Sequence, residues 1–154
     1  MMVAASSNDK VPPEIWFAED DDEDWLLIQD VLDEDCKSRI RYKRVKNGLE
    51  MLDALKSPLN RLPALIFLDM KMPKLNGSDT LQEIRKDPAL RHIPVVILTT
   101  SNLEADIFKA YHGGASSYLV KPATFPAMAD VLKAVHRYWT TVTHIPDPNM
   151  ARGA

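Results

Sequence analysis

The chain has 154 residues, a formal net charge of −3, and 45% hydrophobic against 27% charged residues. That length and balance imply one globular domain with a real core, and the weak negative charge excludes bulk attraction to nucleic acid or anionic membrane. A single cysteine, Cys36, excludes an intrachain disulfide, and no apolar run approaches the roughly 20 residues of a membrane span.

Residues 1–13, ending at Pro12-Pro13, hold no apolar stretch of signal-peptide length and read as a flexible leader. EIWFA (Glu14–Ala18) is short and strand-like, and EDDDEDW then opens a helix with Trp25, Ile28, Leu32 and Cys36 on one face. RIRYKRV (Arg39–Val45) alternates as a half-exposed strand does. Its basic residues Arg39, Arg41, Lys43 and Arg44, with Lys46 after them, fit an edge strand guarded by charge better than a nucleic-acid surface. Asn47-Gly48 precedes a short helix through Leu52 and Leu55. ALIFL (Ala64–Leu68) is the third strand, and Asn76-Gly77 leads into a helix ending at Asp87-Pro88. PVVILT (Pro94–Thr99) is a buried, β-branched strand; Leu103, Ile107 and Tyr111 then mark the next helix, which stops at Gly113-Gly114. SSYLV (Ser116–Val120) is the fifth strand. Phe125, Met128, Leu132, Val135 and Trp139 form the last helical face, on a unit spanning residues 14–139. In the tail, residues 140–154, TTVTHI has the β-branched composition of a strand, with PDP stopping it.

Strands and helices in alternation, with apolar central strands, predict an α/β fold: a doubly wound five-stranded parallel sheet with helices on both faces. Right-handed crossovers gather the strand C-termini along one edge, where such folds collect functional groups. The residues that follow the buried runs are Glu19-Asp20, Asp69, Thr99-Thr100 and Lys121-Pro122. Three carboxylates brought together repel unless a cation sits among them, and oxygen-only ligands of this hardness suit Mg²⁺. Thr99 and Lys121 could hold an anion, one as a hydrogen-bond donor and the other as a point charge. A metal, a carboxylate and an anion-holding pair suggest phosphoryl transfer, with Asp69 as nucleophile. Taken alone, Asp69 is as well explained as a helix cap. Asp22, Glu23 and Asp24 read as a solvated helix start, favourably placed on the helix dipole. His92, His112, His136 and His144 show no ligand spacing, and Cys36 reads as a small core residue.

Five motifs in order carry a resemblance: Glu19-Asp20, LDMKMP around Asp69, Asn76-Gly77, the threonine closing PVVILT, and Lys121-Pro122. From about Glu14 to Tyr138 the chain resembles the receiver domain of two-component response regulators. The resemblance implies a flavodoxin-like sheet of order 2-1-3-4-5. It also implies phosphorylation of Asp69 by a histidine kinase, with Mg²⁺ held by Glu19, Asp20, Asp69 and the backbone carbonyl of Lys71. Thr99 and Lys121 match the hydroxyl and lysine that bind the phosphoryl group, and Tyr118 the aromatic that turns as the switch throws. A cis Lys121-Pro122 bond is expected from relatives, at a cost of about 0.5–1 kcal/mol.

The ILTTS stretch, the tail and the lack of an output domain resemble single-domain regulators serving bacterial and cyanobacterial phytochrome kinases. Such a protein is expected to be cytoplasmic and to act in trans, through a protein partner or a phosphotransfer protein, with no direct nucleic-acid or membrane contact. The tail and the last helix suggest a homodimer through Val131, Tyr138, Trp139 and Val142. Thr100 is bulkier than the Ala or Gly usual there, so Thr100→Ala is expected to speed phosphorylation by acetyl phosphate; equal rates would refute this. Two rivals remain. A Mg²⁺-dependent Asp-nucleophile phosphohydrolase would want an acid two residues after Asp69, where Lys71 stands. A flavin module would need a phosphate cradle where EDDDED would repel one.

Overall fold

The computed structural model describes residues 13–35 and 40–150, so Cys36, Arg39 and nearly all of the leader lie outside the described residues. The elements are β1 (Glu14–Ala18), α1 (Asp22–Asp35), β2 (Arg41–Val45), α2 (Gly48–Lys56), β3 (Leu65–Leu68), α3 (Gly77–Lys86), β4 (Val95–Thr99), α4 (Glu104–His112), β5 (Ser117–Val120) and α5 (Phe125–Arg137), with a π-helical turn at Tyr138–Val142. The strands form one five-stranded parallel sheet of order β2-β1-β3-β4-β5, the expected doubly wound architecture.

Side chains alternate across a strand, which divides the core in two. Ile15, Phe17, Leu65, Phe67, Val96 and Leu98 face α1 and α5, meeting Ile28, Leu32, Met128 and Leu132. Trp16, Ala18, Ile66, Leu68, Val95 and Ile97 face the other way, onto Met51, Leu55, Leu81, Ile84 and Ala110 of α2, α3 and α4. β1, β3 and β4 are apolar at every core position because both faces are covered. Each fully buried large side chain contributes about 1.5–3 kcal/mol, so this double core is what fixes the strand ends. Three helix starts are capped by side chains: Asn47 accepts from Glu50 N, Asn76 from Asp79 N and Thr124 from Ala127 N.

Two expectations fail. Among the described residues there is no cis peptide bond, so Lys121-Pro122 is trans. Trans is the lower-energy isomer for X-Pro; Lys121 N donates to Thr99 O at 2.7 Å. The TTVTHI stretch forms no strand. Thr140 Oγ1 donates to His136 O at 2.7 Å and Thr141 Oγ1 to Arg137 O. These hydroxyls satisfy backbone carbonyls locally and widen the last turn to a π-helix. Beyond it the chain returns to the sheet's N-terminal edge, where Asn149 Oδ1 accepts from Leu62 N at 2.8 Å and its Nδ2 donates to Leu62 O at 3.3 Å. The helix marked by Leu103, Ile107 and Tyr111 is present as α4, with Leu103 at its N-cap and with Leu103 and Tyr111 60% and 50% exposed. Ala110 is the buried residue of α4 that packs on the core.

Candidate functional site

β3 is buried throughout, and its last backbone bond, Asp69 N to Ala18 O at 3.2 Å, carries the chain to the lip of the sheet. The Asp69 carboxylate is held from two sides: Oδ1 accepts from Lys71 N at 3.1 Å, and Oδ2 accepts from Lys121 Nζ at 2.9 Å. The return of the loop is fixed at Gly77, whose N–H donates to Met70 O at 3.1 Å. A Cβ there would lie 2.2 Å from Asp69 O. Within the loop, Leu75 N donates to Pro73 O at 2.7 Å around Lys74, which has a φ of 67°. This is a tight three-residue turn of the strained kind that collects near functional sites.

Lys121, directly after β5, spends all three ammonium hydrogens on carboxylates. Nζ lies 2.6 Å from Glu19 Oε1, 2.8 Å from Asp24 Oδ2 and 2.9 Å from Asp69 Oδ2, with its side chain 5% exposed. Burial works against its charge, but the hydrogen bonds to Asp24 and Glu19 and the Asp69 charge outweigh it and hold the ammonium above its ordinary value. Burial dominates at Glu19. It pushes that carboxyl up to about 7, against the pull of Lys121 and with the help of the Asp69 charge.

The native state therefore binds the Glu19 proton more tightly than the unfolded chain, whose carboxyl titrates near 4.5. Its contribution to stability is complete below that value and is lost as pH rises through about 7. Metal-free protein should melt roughly 5 °C or more lower at pH 8 than at pH 5 from this group. Glu19→Gln should flatten that slope in thermal melts, and an unchanged slope would assign it elsewhere.

Oxygens of Glu19, Asp20 and Asp69 all lie within 4.8 Å of one another. Three hard oxygen donors, one of them held partly protonated by burial and a neighbouring charge, form a set that a divalent cation completes. Glu19 Oε2 is anchored by Asp21 N at 3.2 Å, and the Glu19 carbonyl by Arg44 Nε at 2.9 Å. Arg44 is thus more than an edge guard, since it also pairs with Asp22 at 2.8 Å.

Thr99 is fully buried at the end of β4, opposite Val120, with its Oγ1 accepting from Ser101 N at 3.5 Å. Tyr118 packs against the core half that contains Ile97, and its hydroxyl donates to Ser101 O at 2.9 Å. Ser101 Oγ in turn donates to Asp106 Oδ2 in the first turn of α4. The loop after Thr99 therefore ties Tyr118 to α4. Asp24, read from the sequence as a solvated helix residue, belongs to the site instead. Val131 and Trp139 are partly buried, whereas Tyr138 and Val142 are 50% and 62% exposed. A cleft of about 1250 Å³ opens at the opposite edge of the sheet, beside the tail. Among the described residues its lining holds no comparable constellation.

The response regulator receiver domain matches residues 15–133. The chain belongs to that family, whose members accept phosphoryl groups as switches in two-component signalling. Three relatives narrow the comparison. Response regulator Rcp1 of Synechocystis sp. (strain PCC 6803) is 31% identical over 147 residues, covering 91% of this chain and 98% of its own. The phosphorylated cyanobacterial phytochrome response regulator RcpA superposes with a TM-score of 0.83 at 32% identity, over 88% of this chain and 99% of its own. The bacteriophytochrome response regulator RtBRR gives a TM-score of 0.68 at 33% identity, over 92% and 90%.

Proposed function

We propose that this chain takes a phosphoryl group from the phosphohistidine of a sensor histidine kinase onto Asp69 and uses it to change protein partners. The observation that carries the reading is the Lys121 ammonium, 2.9 Å from Asp69 Oδ2 and flanked by the Glu19, Asp20, Asp69 oxygen trio. A carboxylate oxygen of Asp69 attacks phosphorus; the O–P bond forms as the N–P bond breaks, and that electron pair leaves on the imidazole nitrogen. Glu19, Asp20, Asp69 and the Lys71 carbonyl would hold Mg²⁺, which when bound neutralises charge on the phosphoryl oxygens. Lys121 supplies a fixed positive charge, and the Thr99 hydroxyl a hydrogen bond. No acid stands where a phosphohydrolase would need one: Lys71 is exposed and cationic.

Movement of the Thr99 loop is felt by Tyr118 through the Ser101 carbonyl, and so by the face built from α4, β5 and α5. Phe108, Tyr111, Val120 and Phe125 on these elements are all exposed apolar surface available to a downstream protein or a phosphotransfer protein. Similarity to RcpA and RtBRR supports a phytochrome as the kinase. Among the described residues no helix is long and apolar enough to cross a membrane, and we place the protein in the cytoplasm with no direct nucleic-acid contact. Residues 14–139 act as the receiver and 140–154 as an arm, with a homodimer formed through Val131, Tyr138, Trp139 and Val142. A truncation at Trp139 should be monomeric by light scattering, and a dimeric truncation would remove the arm's role.

Phosphotransfer from an autophosphorylated phytochrome kinase tests the assignment. Transfer is expected within seconds to minutes and should outpace transfer from an unrelated histidine kinase. Equal transfer from both would remove the phytochrome link while leaving the acceptor role in place.

A further inference from the structure

The Lys121 ammonium has three hydrogens and three carboxylate partners, and these partners are not equivalent. Glu19 and Asp69 belong to the oxygen trio within 4.8 Å that suits a divalent ion; Asp24 does not. A cation that claims the first two weakens their hold on Lys121 and leaves Asp24 as the undisturbed contact at 2.8 Å.

Asp24 is built for that task. It stands in the first turn of α1, where its N–H donates to Asp21 Oδ1 at 2.9 Å. The adjacent Trp25 packs on Phe17 with ring centroids 5.4 Å apart, locking the helix to β1. A group on a packed helix holds position better than one on a loop. The other acids of this turn do different work. Asp22 pairs with Arg44, and Glu23 lies exposed. The helix dipole would be satisfied by any of the three, so it does not explain why Asp24 alone turns to Lys121.

We propose that Asp24 is a positioning residue for phosphoryl transfer, holding the Lys121 ammonium in register when a divalent ion occupies Glu19 and Asp69. This rests on the reading of Asp69 as acceptor, and the test separates the two. In protein labelled with ¹⁵N-lysine and loaded with Mg²⁺ but no phosphodonor, the Lys121 ammonium signal should be sharp in the wild type and broadened in Asp24→Ala. Asp24→Asn, which keeps an acceptor oxygen, should fall between them. Phosphorylation by acetyl phosphate at saturating Mg²⁺ should slow roughly tenfold in Asp24→Ala, the scale of one hydrogen bond to a charged group. Mg²⁺ affinity should change much less. In a Lys121→Ala background the Asp24→Ala change should have no further effect. An unchanged ammonium signal, or an equal loss of rate without Lys121, overturns the proposal. A wild type that is never phosphorylated overturns the acceptor assignment instead.

Discussion

Replacing Lys121 by methionine should cost the metal-free protein about 3–5 kcal/mol at pH 8 and much less near pH 5. Methionine fills a similar volume, so the loss is electrostatic. The Glu19, Asp24 and Asp69 carboxylates that bond one ammonium at 2.6, 2.8 and 2.9 Å would be left facing one another. Glu19 and Asp69 have side chains only 4% and 10% exposed, so water cannot screen them. Glu19 already holds its proton up to about 7 with Lys121 in place. Without the ammonium it rises further, so acid relieves the variant more than the wild type. Mg²⁺ should restore the variant's melting temperature by a larger step than it raises the wild type's. A loss independent of pH and Mg²⁺ would reduce Lys121 to packing.

Gly77→Ala should be the next most severe change. The new Cβ would meet Asp69 O at 2.2 Å, Asp69 C at 2.9 Å and Met70 Cα at 2.9 Å, all backbone atoms of the acceptor loop. No side chain can rotate out of the way, so the loop itself must move. Forced overpacking costs about 1–3 kcal/mol, which for a domain of this size lowers the melting temperature by roughly 2–10 °C. The functional loss should exceed the stability loss, because a displacement on the order of 1 Å at a reacting group can cost about a hundredfold in rate. Gly113→Ala is the control. Its nearest neighbour, Lys109 O, would be 3.2 Å away, and its φ is an ordinary −76°. Similar phosphorylation rates for the two variants would show that Gly77 does not set the position of Asp69.

Most of the architecture was legible because the central strands are apolar on both faces. Buried runs such as LIFL and VVILT have one reading only, and a parallel sheet then brings together whatever follows them. Glu19, Asp20, Asp69 and Lys121 were found that way. Asp24 was not, because it follows no strand. It reaches Lys121 around the first turn of a helix, where charge alone looks like solvation. Leu103 and Tyr111 have helical spacing, but α4 packs beside the edge strand β5, which leaves them uncovered. In the tail, β-branched composition suggested a strand, and the threonine hydroxyls decided otherwise by bonding the carbonyls four residues back. The Gly77 constraint, finally, is a distance between backbone atoms and has no sequence signature beyond the glycine itself.

Everything proposed for the site depends on Asp69 accepting the phosphoryl group, with Lys121 and a divalent ion serving it. Intact-mass analysis after acetyl phosphate tests it most directly, on wild type and Asp69→Asn, with Mg²⁺ and with Mg²⁺ chelated. The wild type with Mg²⁺ should gain the mass of one phosphoryl group, and the other three samples should not. A phosphorylated Asp69→Asn protein, or a wild type that never gains the mass, would contradict the account.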